Sequence, residues 1–204
     1  MFIYRIPFFL QKLFPAYTWK VNTDDKQLFL TFDDGPHPQI TPWVLNILAE
    51  FNAKATFFCV ADNVKKYPEV FKQIILAGHS IGNHTYHHLN GWKHSTSDYL
   101  ADVKLAETYI ESKLFRPPYG KITRKQAKEL LPKYQIVMWD RLSVDYKKDL
   151  NIEESLRHMK RVDKGSIIVF HDSEKAFENL QKLLPALLTN YKERGFNLNA
   201  LAYK

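Results

Sequence analysis

The sequence is poor in the features that cross-link a chain or carry it through a membrane. Its 204 residues include a single cysteine, Cys59, so no disulfide can form within the chain. Cys59 lies in the apolar run 55–60, where we expect a buried and unreactive thiol. One cysteine fits a reducing compartment.

A long hydrophobic run is also missing. The most apolar stretch near the start, Phe8-Phe9-Leu10, is flanked by Pro7 and by Gln11-Lys12, so it is too short for a transmembrane helix. It lacks the apolar core and small-residue cleavage site of a signal peptide. We therefore expect no transmembrane segment and a cytoplasmic location, with peripheral membrane or cell-envelope association as the alternative.

Basic residues exceed acidic ones, but no basic run is longer than three residues. The net charge is +7 and the pI is about 9.3. Because these charges are spread along the chain and no zinc-finger or aromatic RNA-binding pattern occurs, we expect no nucleic-acid partner. The content of 45% hydrophobic and 25% charged residues is typical of a folded globular domain and leaves the oligomeric state open.

Segments typical of strands and helices alternate along the chain. We expect strands at 27–32, 55–60, 80–83, 114–115, 135–139, 166–170 and 196–201. We expect helices from Pro42 with Thr41 as N-cap, and at 68–77, 97–112 with Ser97 as N-cap, 123–131, 152–161 and 176–190. About seven β/α pairs favour a parallel sheet with helices outside, and both an open sheet and a closed barrel fit. Residues 1–22 are expected to pack as a segment on one domain, 23–204.

Polar residues follow the predicted strands at their carboxyl ends. They are Asp33, Asp34, His84, Arg116 and His171. In α/β folds this edge of the sheet carries the chemistry, and in a barrel all such ends meet at one mouth. The pattern therefore predicts a site assembled from distant parts of the chain.

The first candidate motif is Thr31-Phe32-Asp33-Asp34-Gly35-Pro36. Two adjacent carboxylates after a buried strand are costly unless a cation holds them. Adjacent side chains point in different directions, so Asp33 and Asp34 suit two roles, a base and a metal ligand. Read alone, the motif fits an ordinary turn equally well.

The second motif is His84-Thr85-Tyr86-His87-His88. The spacing of His84 and His88 predicts two imidazoles on one side of a helical turn, a common zinc geometry. His87 points elsewhere and is expected to be structural. Asp34, His84 and His88 would hold a metal with one coordination position open, as catalysis requires.

The remaining candidates lie in the second half of the chain. Two prolines stiffen the loop from Arg116 to Gly120, and Arg116 suits a carboxylate partner. His171 follows an apolar strand, and an acidic partner would keep it protonated as a proton donor. Asp140 and Asp145 both stand as candidates for that partner.

Five segments together resemble the motifs of the polysaccharide deacetylases, carbohydrate esterase family 4 or the NodB-homology domain. They are TFDDGP, HTYHH, RPPYG, the stretch from Trp139 to Tyr146, and IIVFHD. The resemblance spans about 28–172. It implies a distorted (β/α)7-type barrel as the single catalytic domain, 23–204, with a divalent metal, usually Zn²⁺ and alternatively Co²⁺ or Ni²⁺.

The resemblance also implies a role for each matching residue. Asp33 resembles the catalytic base, and Arg116 resembles the residue that orients it. The metal ligands would be Asp34, His84 and His88, and the Tyr119 amide would be the oxyanion donor. His171 resembles the catalytic histidine, and Asp145 resembles the acid that tunes it. Val169 stands where a Leu usually lines the acetyl-methyl pocket. Tyr146 stands where many members have Trp, and both departures bear on the substrate pocket.

The function implied is hydrolysis of acetyl groups, N-acetyl above all, from a carbohydrate such as a polymer or oligosaccharide containing N-acetylglucosamine. Two alternatives stay open. One is an amidase or deformylase acting on a small N-acyl compound or a lipid-linked sugar. The other is a non-catalytic glycan-binding relative.

Overall fold

The computed structural model describes residues 4–203, in which strands and helices alternate. The strands are β1 (Gln27–Asp33), β2 (Ala55–Cys59), β3 (Ser80–Asn83), β4 (Leu114–Phe115), β5 (Gln135–Ile136), β6 (Arg141–Leu142), β7 (Ile167–His171) and β8 (Asn197–Leu198). The helices are α1 (Phe8–Leu13), α2 (Ile40–Glu50), α3 (Ala61–Lys66), α4 (Pro68–Leu76), α5 (Thr96–Glu107), α6 (Arg124–Leu130), α7 (Ile152–Met159) and α8 (Glu174–Glu193). Gly91–Lys93 and Pro118–Gly120 form short 3-10 helices.

The strands form one sheet with every neighbour parallel. The order is β5-β4-β3-β2-β1-β7-β6, and β8 adds to β1. β5 and β6 lie at opposite ends of this order, yet only residues 137–140 separate them along the chain. The sheet therefore curls into a half-barrel. The distorted (β/α)7-type barrel is thereby confirmed, and within 4–203 the ladder stays open between β5 and β6.

Alternation along β1 separates two apolar layers. Leu28, Leu30 and Phe32 point outward into the main core, which they share with α2 and α8. Phe29 belongs to a second cluster inside the curl, with Phe58, Leu114, Val137, Ile167 and Leu201. Thr31 and Asp33 follow Phe29 on this inner face, so the strand aims its terminal carboxylate into the barrel mouth.

The N-terminal segment contacts the open side of the barrel. Thr18 pairs with Val137, just after β5, and Tyr4 and Ile6 exchange backbone hydrogen bonds with Leu142 and Asp140 around β6. Residues 1–3 of the expected segment, and residue 204 of the expected domain, lie outside the described residues. None of the helices in 4–203 has both the length and the apolar character that a membrane crossing requires.

Most expected elements are confirmed, with errors at their ends and at short elements. α5 ends at Glu107 rather than 112, β5 ends at Ile136 rather than 139, and β8 covers only Asn197–Leu198 of the expected 196–201. α2 begins at Ile40 rather than Pro42, because proline fits inside the first turn, where its missing N–H costs nothing. Thr41 therefore does not cap this helix. Ser95, not Ser97, caps α5 by accepting a hydrogen bond from the Asp98 amide. The short elements α1, α3 and β6 were not expected.

Candidate active site

The register of the sheet brings the predicted residues to one edge. On β1, Asp33 lies opposite His171 of β7 and Phe58 of β2. On β3, Asn83 lies opposite Cys59 of β2 and Phe115 of β4. The residues that follow these neighbouring strand ends must therefore converge, and they include Asp34, His84 and Arg116.

Asp34, His84 and His88 form a compact group of potential metal ligands. One ligand atom from each lies within 4.8 Å of the others. Asp34 Oδ1 is 3.1 Å from His88 Nε2 and 3.9 Å from His84 Nε2. Nothing comparable with three or more such residues occurs elsewhere in 4–203.

The expectation of a helical turn between the two histidines is wrong. Thr85 and His88 have φ values of +65° and +56°, and the segment is a loop. In this loop, side chains accept hydrogen bonds from the backbone N–H groups. Asn83 accepts from the Thr85 amide, and Asp102 of α5 accepts from the next two amides.

The loop from Arg116 to Tyr119 orients both imidazoles. His84 Nδ1 lies 2.7 Å from the Arg116 carbonyl oxygen, which can only accept, so Nδ1 carries the proton and Nε2 is free to ligate. His88 Nδ1 lies 3.1 Å from the Tyr119 hydroxyl. Such contacts to the far nitrogen fix ring orientation in metal sites.

Electrostatics prepare this group for a cation. Burial lowers the pKa of His84 to about 4, with the charges of Asp33 and Asp34 only partly opposing it, so the ring is neutral at pH 7. Burial raises the pKa of Asp34, but the His88 hydrogen bond and the nearby His171 charge outweigh it and hold that pKa well below its usual range. An ionised Asp34 carboxylate and a neutral His84 imidazole fit a divalent transition metal such as zinc.

Asp33 lies on the inner face of the barrel and is held by Arg116. Its Oδ1 accepts a hydrogen bond from Arg116 Nη1 at 2.7 Å. Arg116 is fully buried, and it also donates to Thr31 and to the carbonyls of Val137 and Met138. An Arg with its donors engaged in this way holds the Asp33 carboxylate in one orientation.

His171 lies on the other side of Asp33 and has an acidic partner. Its Nδ1 is 2.7 Å from Asp145 Oδ1, and its backbone N–H donates to Asp145 Oδ2. Asp140 instead accepts from Ser166 and the Ile167 amide. Burial by itself lowers the pKa of His171, but the charge of Asp145 and their hydrogen bond outweigh it and raise the pKa to about 9.

The three residues expected to bind substrate lie beside His88 or His171. Tyr119 has φ of +61° at the tip of its loop and an exposed side chain. The Tyr146 ring stands edge-on to His171, with centroids 5.1 Å apart. Val169 is buried on the same inner face of β7 as His171, two residues earlier.

Several positioning residues were missed in the sequence. Asp172 is buried and accepts from the Gly35 amide at 3.0 Å and the Thr41 hydroxyl at 2.5 Å, which pins the turn after Asp34. Asn63 donates to the Asp34 carbonyl. The adjacency of Asp172 to His171 was an available signal, whereas Asn63 and Asp102 are ordinary helix residues until the fold brings them here.

His87, His79 and Cys59 lie outside the group of possible ligands. His87 Nδ1 lies 2.5 Å from Asp102 Oδ1, while its ring is largely exposed. His79 accepts from the Ala55 amide. Cys59 is buried and free, as expected, and burial raises its pKa well above the ordinary value.

Comparisons with known proteins agree on one family. Residues 20–136 match the family model described as polysaccharide deacetylase. The peptidoglycan-N-acetylglucosamine deacetylase of Bacillus cereus is 36% identical over 190 residues, which are 88% of each protein.

Solved structures point the same way. A peptidoglycan N-acetylglucosamine deacetylase, crystallised with 4-naphthalen-1-yl-N-oxidanyl-benzamide, has a TM-score of 0.80 and 31% identity, covering 91% of each chain. BA3943, a pseudoenzyme of Bacillus anthracis, has a TM-score of 0.75 and 25% identity, covering 92% of this chain and 68% of that one. Similarity in this fold therefore extends to proteins with and without activity.

Proposed function

This chain belongs to the polysaccharide deacetylase family, and on that premise we propose that it is a zinc-dependent hydrolase that removes N-acetyl groups from a carbohydrate containing N-acetylglucosamine. The observation that carries the proposal is the arrangement around Asp34. The possible ligands meet there, with Asp33 held by Arg116 and His171 held by Asp145 beside them. This arrangement offers a base, a metal site and an acid at one end of the barrel.

Asp34, His84 and His88 would hold the metal, for which Co²⁺ and Ni²⁺ are alternatives to Zn²⁺. When bound, the cation polarises the acetyl carbonyl and lowers the pKa of water. The chain contributes an ionised Asp34 and a neutral His84, and it leaves solvent access beside Asp34 and His88, which are both partly exposed.

Asp33 is the general base and accepts a proton from the attacking water. Arg116 keeps the carboxylate aimed at that water and compensates its charge. The amide of Tyr119 donates a hydrogen bond to the oxyanion of the tetrahedral intermediate, a contact that is typically worth ~2.7–4 kcal/mol.

His171 is the general acid and donates a proton to the departing amine. Asp145 keeps the imidazole protonated, since it raises the His171 pKa to about 9. A group that is charged at pH 7, partly accessible to solvent and next to the base is suited to this second transfer. Each such group typically contributes ~10²–10⁴-fold. Val169 and Tyr146 shape the space around the acetyl group.

The experiment is a metal analysis coupled to an acetate-release screen. The purified protein is assayed on N-acetylglucosamine oligomers and on small N-acyl compounds, before and after EDTA treatment and with Zn²⁺, Co²⁺ or Ni²⁺ restored. We expect about one equivalent of metal, acetate from the oligomers, loss with EDTA and recovery on adding metal. The His84→Ala variant, which lacks a ligand, serves as the control that metal cannot rescue.

The screen also separates the alternatives. Hydrolysis confined to small N-acyl or formyl compounds identifies an amidase or deformylase. Metal binding without hydrolysis across the panel identifies a non-catalytic relative, a candidate favoured by the similarity to the Bacillus anthracis pseudoenzyme. The cluster of possible ligands and the two contacts Arg116–Asp33 and Asp145–His171 support the enzyme.

A cytoplasmic location is part of the proposal and restricts the substrate to acetylated sugars found on that side of the membrane. Fractionation of cells that express the full chain tests it. Recovery in the membrane or envelope fraction contradicts it and supports peripheral association.

A further inference from the structure

Phe58 is a buried aromatic residue that the proposed mechanism does not use. It lies on β2, is fully buried, and pairs in the sheet register with Asp33 of β1. The guanidinium carbon of Arg116 lies over its ring, 4.1 Å from the ring centroid. The ring of Phe58 therefore contacts the group that holds the proposed base.

Hydrogen bonds within the plane of the Arg116 guanidinium are already made. The group is planar, so all of its N–H donors point outward in one plane. They reach side chains of Thr31 and Asp33 and the backbone carbonyls of Val137 and Met138. Because a hydrogen bond weakens steeply only at large angular deviations, these bonds leave the plane some freedom to tilt. Contacts on the faces of the group limit that motion.

Phe58 supplies such a contact. A ring whose centroid is only 4.1 Å from the guanidinium carbon covers one face of the group. A cation over an aromatic face is attracted by the electrons of the ring, and the attraction is stronger when both groups are out of water, as they are here. The indole of Trp139 is a second aromatic neighbour, with its centroid 5.7 Å from the same carbon.

The neighbouring strand makes room for the Phe58 ring. Gly82 of β3 pairs with Phe58 in the register, and a Cβ at position 82 would lie 2.4 Å from the ring carbon Cδ1. That separation is far shorter than any normal van der Waals contact, so only glycine at this position lets the ring keep its place. One row across four neighbouring strands thus contains Gly82, Phe58, Asp33 and His171.

We propose that Phe58 is a positioning residue for the deacetylation: its ring fixes the tilt of the Arg116 guanidinium and thereby the direction of the Asp33 carboxylate. The inference rests on the proposed function, in which Asp33 accepts a proton from the attacking water, and adds a residue to it. Phe58 acts through Arg116 and not on the substrate. A carboxylate that is held less firmly spends less time in the reactive geometry, so a weaker ring contact should lower kcat rather than raise KM.

Graded fluorination of Phe58 tests the contact with little change in the shape of the ring. Fluorine withdraws electron density from the ring face, so mono-, di- and trifluorophenylalanine at position 58 weaken the attraction for a cation in steps. We expect kcat on N-acetylglucosamine oligomers to fall in the same steps, about five- to twentyfold for the trifluorinated ring, with KM and metal content nearly unchanged. Phe58→Leu, which has no ring, should lose at least as much.

Phe57 is the matched control. It is the adjacent residue on β2, is also buried, and stacks on Phe32 in the main core on the other face of the sheet. The same fluorinated residues at position 57 should leave kcat unchanged. Equal losses at 57 and 58 overturn the proposal, because they indicate a general loss of packing. A kcat that stays constant across the series at 58 overturns it as well.

A measurement on Arg116 itself separates this proposal from the proposed function. Its Nε–H donates to the Val137 carbonyl at 3.1 Å, and NMR can follow the exchange of this proton with solvent whether or not the protein is an enzyme. The signal is assigned by its absence in Arg116→Lys. We expect exchange to accelerate in steps across the series at 58 and to stay constant across the series at 57.

The two measurements have distinct outcomes. Exchange that is unchanged across the series at 58 overturns the positioning role, even if kcat falls, because the effect does not then pass through Arg116. Accelerated exchange with a constant kcat also overturns it. Accelerated exchange in a protein that releases no acetate from any substrate supports the contact between Phe58 and Arg116 and contradicts the proposed function alone.

Discussion

Adjacent residues in this chain experience opposite environments. Asp33 ends β1 and points into the barrel against the buried guanidinium of Arg116. Asp34 has φ of +82°, which turns its carboxylate outward to the histidines. A change of one carboxylate should therefore have consequences quite different from a change of the other.

Asp33→Asn should retain metal and lose turnover by about 10²–10⁴-fold, because the amide cannot accept the proton. It should also lower the free energy of unfolding by ~3–5 kcal/mol, since Arg116 then lies buried without a counter-charge. Metal content, acetate release and thermal unfolding check these outcomes.

Two comparisons complete that prediction. Asp34→Asn should lose the metal as well as activity, and the exposed Asp25→Asn should resemble wild type. Near-normal turnover in Asp33→Asn would remove this residue from the role of base.

The contact between His171 and Asp145 predicts how activity declines at alkaline pH, the alkaline limb of the pH profile. With the His171 pKa raised to about 9, turnover should fall as pH rises through that value and the proton donor is lost. Asp145→Asn should move this limb to lower pH, because it removes the largest of the charges that oppose the effect of burial on the His171 pKa. The pH profile of kcat for the two proteins provides the measurement.

Asp140→Asn is the matched control, since Asp140 is equally buried but binds Ser166 rather than His171. The ion pair should also stabilise the fold fully below the ordinary histidine pKa of 6.5, and this stabilisation should disappear as pH rises through about 9. An alkaline limb that is the same in Asp145→Asn would exclude His171 as the acid tuned by this residue.

At the scale of elements, helices packed outside the sheet hold the loops that carry the ligands. α5 contributes Asp102, whose carboxylate accepts hydrogen bonds from the backbone amides of Tyr86 and His87 and contacts the His87 ring. α3 contributes Asn63, which binds the Asp34 carbonyl. The ligand loops are thus shaped by residues that never touch the metal.

Asp102→Asn should weaken metal affinity about tenfold or more while the fold is retained, because the loop between His84 and His88 loses its anchor. Competition with a chromogenic chelator measures the affinity, and circular dichroism the fold. Asp98→Asn, on the exposed side of the same helix, is the control. Unaltered affinity in Asp102→Asn would mean that the loop holds its shape without α5.

At the scale of the whole molecule, the half-barrel has an open side that the N-terminal segment spans. Five backbone hydrogen bonds join 4–22 to the rest of the chain, four of them around β5 and β6. Unpaired strand edges are sites of mispairing and aggregation. We propose that 1–22 acts as a separate segment that covers these edges of a catalytic domain, 23–204.

Deletion of 1–22 should lower the free energy of unfolding by several kcal/mol, at ~1 kcal/mol for each lost hydrogen bond, and increase aggregation. Denaturant unfolding and light scattering measure the two effects. Thr18→Pro, which removes the bond to Ile136, should cause a smaller loss, and Lys12→Ala on the exposed α1 should cause none. A deletion variant as stable as the full chain would show that residues 23–204 do not need the N-terminal segment for stability.

The sequence by itself determined the alternation of strands and helices and the residues at the strand ends, which follow from local apolar patterns and from motifs that are contiguous in the chain. Those patterns fit an open sheet as well as a barrel, and only the family resemblance favoured the barrel. Asp33, Asp34, His84, His88, Arg116 and His171 were all available at that level.

The tertiary structure decided what the contacts are. The family resemblance pointed to Asp145, but only the fold shows that Asp145, and not Asp140, contacts His171. The fold also replaces the expected helical turn by a loop around Asp102 and brings Thr41 to Asp172 instead of to a helix cap. Each of these depends on a side chain from an element distant in sequence satisfying a buried polar group. Local patterns do not encode such pairings, because the low-dielectric interior that enforces them exists only once the chain has folded.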